Sequence, residues 1–177
     1  MRVAILLCGL SVAVLAATQA DAAGQIDELR AGKLECYGPN TAKRTCAAIS
    51  GYSFSGGTIM NKAEVLISAD PVGVMTTDSP VTLKGEAICG IPFKKDIDAA
   101  TITSGGQVLS GVQADRVKAQ IWATMAPNAG KELCTNYAPN GSGGYTTSYT
   151  LGGKPEAGIP PTTVILVDPK DGYRVAP

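Results

Sequence analysis

Residues 58–89 read "TIMNKAEVLISADPVGVMTTDSPVTLKGEAIC". Aliphatic and β-branched residues dominate the stretch, and turn formers divide it. Ile59, Val65, Leu66 and Ile67 predict a strand over Thr58–Ser68. Asp70-Pro71 ends it, because proline has no N–H for a ladder bond. Val72–Met75 and Val81–Cys89 predict two more strands, with Thr76–Pro80 between them as a break. The second of these alternates: Val81, Leu83, Gly85 and Ala87 fall on one side, and Thr82, Lys84 and Glu86 on the other.

Working outward, Ser55-Gly56-Gly57 is a hairpin signal joining this region to an earlier strand over Cys46–Phe54. Downstream, Lys95–Ala100 predicts a single helical turn, and Thr101–Leu109 a small hairpin about Ser104-Gly105-Gly106. Two segments carry helical periodicity. Gln25–Lys33 sets Ile26 and Leu29 on one face, and Gln113–Met125 sets Ala114, Val117, Ile121 and Met125 in a stripe with Trp122 at its edge. Tyr145–Leu151, Thr162–Val167 and Tyr173–Val175 complete the strand candidates. The expected fold class is α+β, built mainly of antiparallel β-hairpins with two short helices.

An internal echo suggests a finer organisation. "GKLECYGPN" at 32–40 is answered by "GKELCTNYAPN" at 130–140, and each precedes a tyrosine-bearing strand, a Gly-Gly pair and an apolar run ending in Asp-Pro. One reading is a duplication, with helix–loop–hairpin repeats at 25–71 and 113–169. The other is that Gly-Gly, Pro-Asn and Asp-Pro are common turn signals that recur between any two hairpins. Both blocks read as cysteine-bearing loops that deliver the chain into a hairpin.

The first residues predict export. Arg2 is a short basic region, Val3–Ala17 is an uncharged apolar run, and Ala20-Asp21-Ala22 offers small residues for signal-peptidase cleavage. The run is shorter than the ~20 residues of a spanning helix. Residues 1–22 are therefore expected to be a cleaved signal peptide and 23–177 a single mature domain, periplasmic or secreted. The whole chain has 15 basic and 15 acidic residues, which gives no electrostatic reason to bind nucleic acid or anionic lipid.

Beyond Cys8 in the signal segment, the cysteines are Cys36, Cys46, Cys89 and Cys134. An even number in an exported chain favours disulfides, and four cysteines allow three connectivities. The favoured pairing is Cys36–Cys46 with Cys89–Cys134, because Gly38-Pro39-Asn40 can turn the chain back between the first two. No metal site is expected: the chain has no histidine and no C-x-x-C spacing.

The missing histidine also removes Ser-His-Asp and Cys-His machinery. No phosphate loop, dinucleotide fingerprint or nucleophile elbow is present, and no cofactor is expected. Paired acids are the remaining catalytic candidates. Asp96 and Asp98 flank Ile97, and Asp168 and Asp171 share one turn. Carboxylate pairs can serve hydrolysis, but Asp168-Pro-Lys-Asp-Gly has the residue order of a turn, and Asp96 suits a helix start. Tyrosines offer another chemistry. Tyr37, Tyr137, Tyr145 and Tyr149 lie near loops or hairpin ends and form a candidate binding surface. The plainer alternative is rings packed over a core with hydroxyls in water.

Ile88-Cys89-Gly90, Gly130-Lys-Glu-Leu-Cys134 and the closing Asp171-Gly-Tyr-Arg-Val175 complete the picture. With the signal segment and the two-cysteine loop, the ensemble resembles small exported bacterial proteins of unknown function. That resemblance implies an envelope or extracellular address and no activity. The expectation is a non-enzymatic exported binding or interaction protein with an unknown partner, an envelope protein among the candidates. A carboxylate-dependent hydrolase and a structural envelope protein are the alternatives.

Overall fold

A computed structural model describes residues 23–177. The expected signal peptide, residues 1–22, lies outside the described residues. The elements begin with α1 (Ala23–Arg30), β1 (Leu34–Tyr37), β2 (Thr45–Cys46), β3 (Ala48–Ser55), β4 (Thr58–Ala69), β5 (Val72–Lys84) and β6 (Ala87–Gly90). They continue with α2 (Lys94–Ala99), β7 (Thr101–Ser104), β8 (Gln107–Val108), α3 (Gly111–Met125), β9 (Leu133–Pro139) and β10 (Tyr145–Leu151). The last are β11 (Lys154–Pro155), β12 (Thr163–Val167) and β13 (Arg174–Val175).

Residues 58–84 form one long hairpin, β4–β5, and this hairpin closes the fold. The strands run in the order β4-β3-β1-β12-β10-β9-β6-β5, every pairing is antiparallel, and β5 pairs back onto β4. The result is a closed eight-stranded barrel. Closure gives each of these staves a neighbour on both sides. The α+β expectation of separate hairpins with two short helices is therefore overturned: the molecule is mostly β, with three short α-helices at its periphery.

The predicted break at Thr76–Pro80 is strand interior. β4 pairs with β5 continuously from Ile59↔Val81 to Leu66↔Val74, and a register shift between Leu66 and Ser68 precedes the Asp70-Pro71 turn. Along its other edge, β5 pairs with β7 at Gly73–Thr76 and with β6 at Val81–Lys84. Residues 77–80 lie at the fork between the two. Proline is tolerated there because no strand runs along that edge to miss its N–H. At the far end of the hairpin, Gly56 and Gly57 both have positive φ, at 55° and 83°, as a tight two-residue β-turn requires.

The repeat reading is corrected as well. The two cysteine-bearing blocks are not loops; they contain β1 and β9, which are staves of the same barrel. Their flanking helices also do different work. Ile26 and Leu29 of α1 pack against Tyr137, Phe54, Leu83 and Leu166 at one end of the barrel. Val117, Ile121 and Met125 of α3 pack with Met75, Ile97 and Ile102 at the other. Strands from both halves thus build one sheet, and neither half has its own core.

Alternation along the staves separates lumen from exterior. Ser50, Tyr52, Asn61 and Ala63 line the lumen, so Lys62 between them points out. The outer face of the long hairpin carries Lys62, Glu64, Asp78 and Lys84. A lipid-facing band would not carry these charges. No described helix is long and apolar enough to cross a membrane. Outside the barrel wall, Cys36, Cys46, Ile49 and Val167 form a second core beneath Val175 of β13, which pairs in parallel with β2.

Two disulfides reinforce the wall. Cys36 bonds to Cys46, and Cys89 of β6 bonds to the directly opposed Cys134 of β9. Their sequence separations are 10 and 45 residues. On the chain-entropy view they stabilise by about 3 and about 4 kcal/mol, less any native strain. Both are compatible with an oxidising, extracytoplasmic location.

Candidate functional site

The barrel encloses a lumen of about 620 Å³. Its walls are largely apolar, with Ala48, Ala63, Val81, Ile88 and Leu133 contributed by five strands. Eight-stranded barrels are wide enough to hold one small ligand, and small-molecule sites commonly span ~300–1,000 Å³. α1 plugs one end. At the other end, Ile91, Pro92, Met125, Asn128, Glu156 and Ile159 frame the mouth.

The lumen floor is made of tyrosines. Tyr37 of β1, Tyr52 of β3 and Tyr137 of β9 all line it. Directly behind them lies Glu35, fully buried on β1. Residues two apart on a strand share a face, so Glu35 and Tyr37 both point inward while Cys36 points out to its disulfide. The Tyr37 hydroxyl donates to Glu35 Oε2 at 2.8 Å, and the Tyr52 hydroxyl donates to the same oxygen at 2.7 Å. The other carboxylate oxygen, Oε1, accepts from Gln25 Nε2 at 2.7 Å. Tyr137 reaches the cluster through Tyr37, with their hydroxyl oxygens 2.9 Å apart. Behind this ring, Tyr145 packs edge-on against Tyr137, with ring centroids 6.3 Å apart and planes at 88°.

Burial pushes the Glu35 carboxyl above its ordinary pKa, and the hydrogen bonds from Tyr52, Tyr37 and Gln25 pull against that shift. Burial and then the Glu35 charge push the Tyr37 and Tyr52 hydroxyls well above theirs, and Tyr137 is raised for the same two reasons. The cluster therefore keeps its phenols protonated. Gln25 is fully buried, and its Oε1 is the one buried side-chain polar atom without a hydrogen-bond partner among the described residues.

The structure divides the four tyrosines expected at a surface. Tyr37 and Tyr137 face the lumen. Tyr145 belongs to the packing around α1, and the hydroxyl of Tyr149 accepts from Thr147 Oγ1 at 3.0 Å. Sequence reasoning missed Glu35 and Gln25. The available signal was the period-two order Leu34-Glu35-Cys36-Tyr37, which sets a carboxyl and a phenol on one strand face.

Of the acids read as catalytic candidates, Asp96 lies in the first turn of α2, and Asp98, Asp168 and Asp171 are engaged locally. Asp98 pairs with Lys94 one helical turn away at 2.6 Å. Asp168 Oδ1 accepts from the Lys170 N–H at 3.0 Å, and Asp171 Oδ2 accepts from the Asp168 N–H at 3.1 Å, so the two cap one 3-10 turn. The Lys170 backbone N–H is the main cause that holds the exposed Asp168 carboxyl below its ordinary pKa. Cys89, Glu132 and Cys134 also lie together, but the two sulfurs are bonded to each other and offer no thiolate to a metal. No family model, no curated protein and no solved structure matches this chain.

Proposed function

We propose that this chain is an exported, non-enzymatic binding protein that holds one small, largely apolar molecule in its barrel lumen. The observation that carries the reading is the lumen itself: about 620 Å³, apolar-walled, plugged at one end by α1 and framed by loops at the other. A few polar groups converge at its floor, the arrangement expected of a ligand site. Glu35 lies behind the tyrosines rather than in the lumen wall, which suits a group that orients the floor more than one that attacks a substrate. The disulfides are consistent with an exported address.

Titration with a neutral, environment-sensitive apolar dye tests this. Wild type is expected to give a saturable, one-to-one rise in emission. Ala63→Phe, which fills the lumen from β4, should abolish it. Lys62→Phe, one residue away on the outer face, should leave it intact. Equal dye uptake by folded wild type and folded Ala63→Phe would refute the proposal.

A further inference from the structure

The direction of the hydrogen bonds in the floor limits what can bind above it. Glu35 accepts from both phenols and from Gln25 Nε2, and an ionised carboxylate only accepts, so with Glu35 ionised the protons of Tyr37 and Tyr52 both point at it. With the Tyr37 proton committed, Tyr137 must be the donor in the 2.9 Å contact between their hydroxyls. All three phenolic protons are therefore directed toward Glu35 or along the chain that ends there. What the floor turns to the lumen is oxygen lone pairs.

Charge points the same way. Among the described residues the lumen wall contains no lysine or arginine, and its one charged residue, Glu156, is an acid at the mouth. A carboxylate ligand would set acceptors against acceptors and be repelled by both acids. An ammonium group carries three donors and no acceptor, matching three phenolic oxygens. Aromatic faces add further attraction for a cation. A bound cation also supplies the counter-charge that the buried Glu35 lacks among the described residues.

We infer that the ligand is an apolar primary amine whose ammonium rests on the Tyr37, Tyr52 and Tyr137 oxygens, above Glu35, with its hydrocarbon body along the lumen wall. This rests on the lumen-binding reading and adds the head-group chemistry to it. The test is displacement of the neutral dye at neutral pH by decylamine, decan-1-ol and decanoate, each below its aggregation concentration. Decylamine should displace the dye at about tenfold lower concentration than decan-1-ol, roughly the weight of one good polar contact, and decanoate should be weakest. Glu35→Gln should lose the preference for the amine, read as the ratio of the displacing concentrations of decylamine and decan-1-ol. Tyr137→Phe should weaken the amine selectively, and it keeps the test decisive if the Glu35 variant does not fold. Decanoate competing as well as decylamine, or an amine preference unchanged in both variants, overturns the inference. Loss of dye binding in wild type would instead overturn the lumen-binding reading beneath it.

Discussion

Replacing Glu35 with alanine removes the acceptor on which three donors converge: Gln25 Nε2, the Tyr37 hydroxyl and the Tyr52 hydroxyl. A buried donor left without a partner costs ~1–3 kcal/mol. The two tyrosines border the lumen, where water can reach them, so they fall at the low end of that range. Gln25 is fully buried and falls at the high end. Glu35→Ala should therefore destabilise the fold by about 3–5 kcal/mol. Urea unfolding with the disulfides intact would measure this, read from the midpoint at unchanged slope. A loss below about 1 kcal/mol would refute the reasoning, since ordinary surface changes approach that size. Glu35→Gln separates charge from shape. The folded pKa of Glu35 is raised, chiefly by burial, so the native state holds a proton that the unfolded chain has already released. Wild-type stability is then greatest below the unfolded pKa and falls as pH rises through the folded one. Each unit of separation between the two removes about 1.4 kcal/mol. The groups around Glu35 are Gln25 and the phenols Tyr37, Tyr52 and Tyr137, and the phenols remain protonated across this window. The glutamine variant should lack that fall, and an identical pH profile in both proteins would count against a strained carboxylate.

Two further perturbations test the barrel wall. Replacing both Cys89 and Cys134 with serine opens the longer crosslink and should cost about 4 kcal/mol on the chain-entropy model, against about 3 for Cys36 and Cys46; calorimetric midpoints would rank the two, and a larger loss at the shorter loop would contradict that ordering. Gly144→Ala places a Cβ only 2.6 Å from the Val164 carbonyl oxygen, so the β10–β12 junction must shift. A loss of about 1–3 kcal/mol is expected for such overpacking, and an unchanged unfolding midpoint would mean that this junction yields freely.

Local chemistry made much of the chain legible. Gln113–Met125 was readable as a helix because its apolar stripe repeats at helical spacing, and α3 spans Gly111–Met125. Gly56-Gly57 marked a hairpin turn because both residues must reach positive φ. β1 and β9 were hidden for a physical reason. A strand lining a polar floor reverses the usual pattern: its inward residues are Glu35, Tyr37 and Tyr137, and an outward residue of each is a buried cysteine. β1 is only four residues long, too short for its alternation to stand out, its apolar pair Leu34 and Cys36 packs outward, and Pro-Asn after each block made a loop the simpler account.

By itself, the sequence determined the short-range features: turns at paired glycines, the amphipathic face of α3, the absence of histidine chemistry and a balanced charge. Only the tertiary structure decided that β5 runs unbroken past Pro80 and returns to β4. Pairing between distant strands depends on which edges remain free after the others have paired, and no local window contains that information. The same closure brings Gln25, Glu35, Tyr52 and Tyr137 together from α1, β1, β3 and β9. An unremarkable glutamate between a leucine and a cysteine becomes the centre of a buried network because the barrel sets three other elements around it.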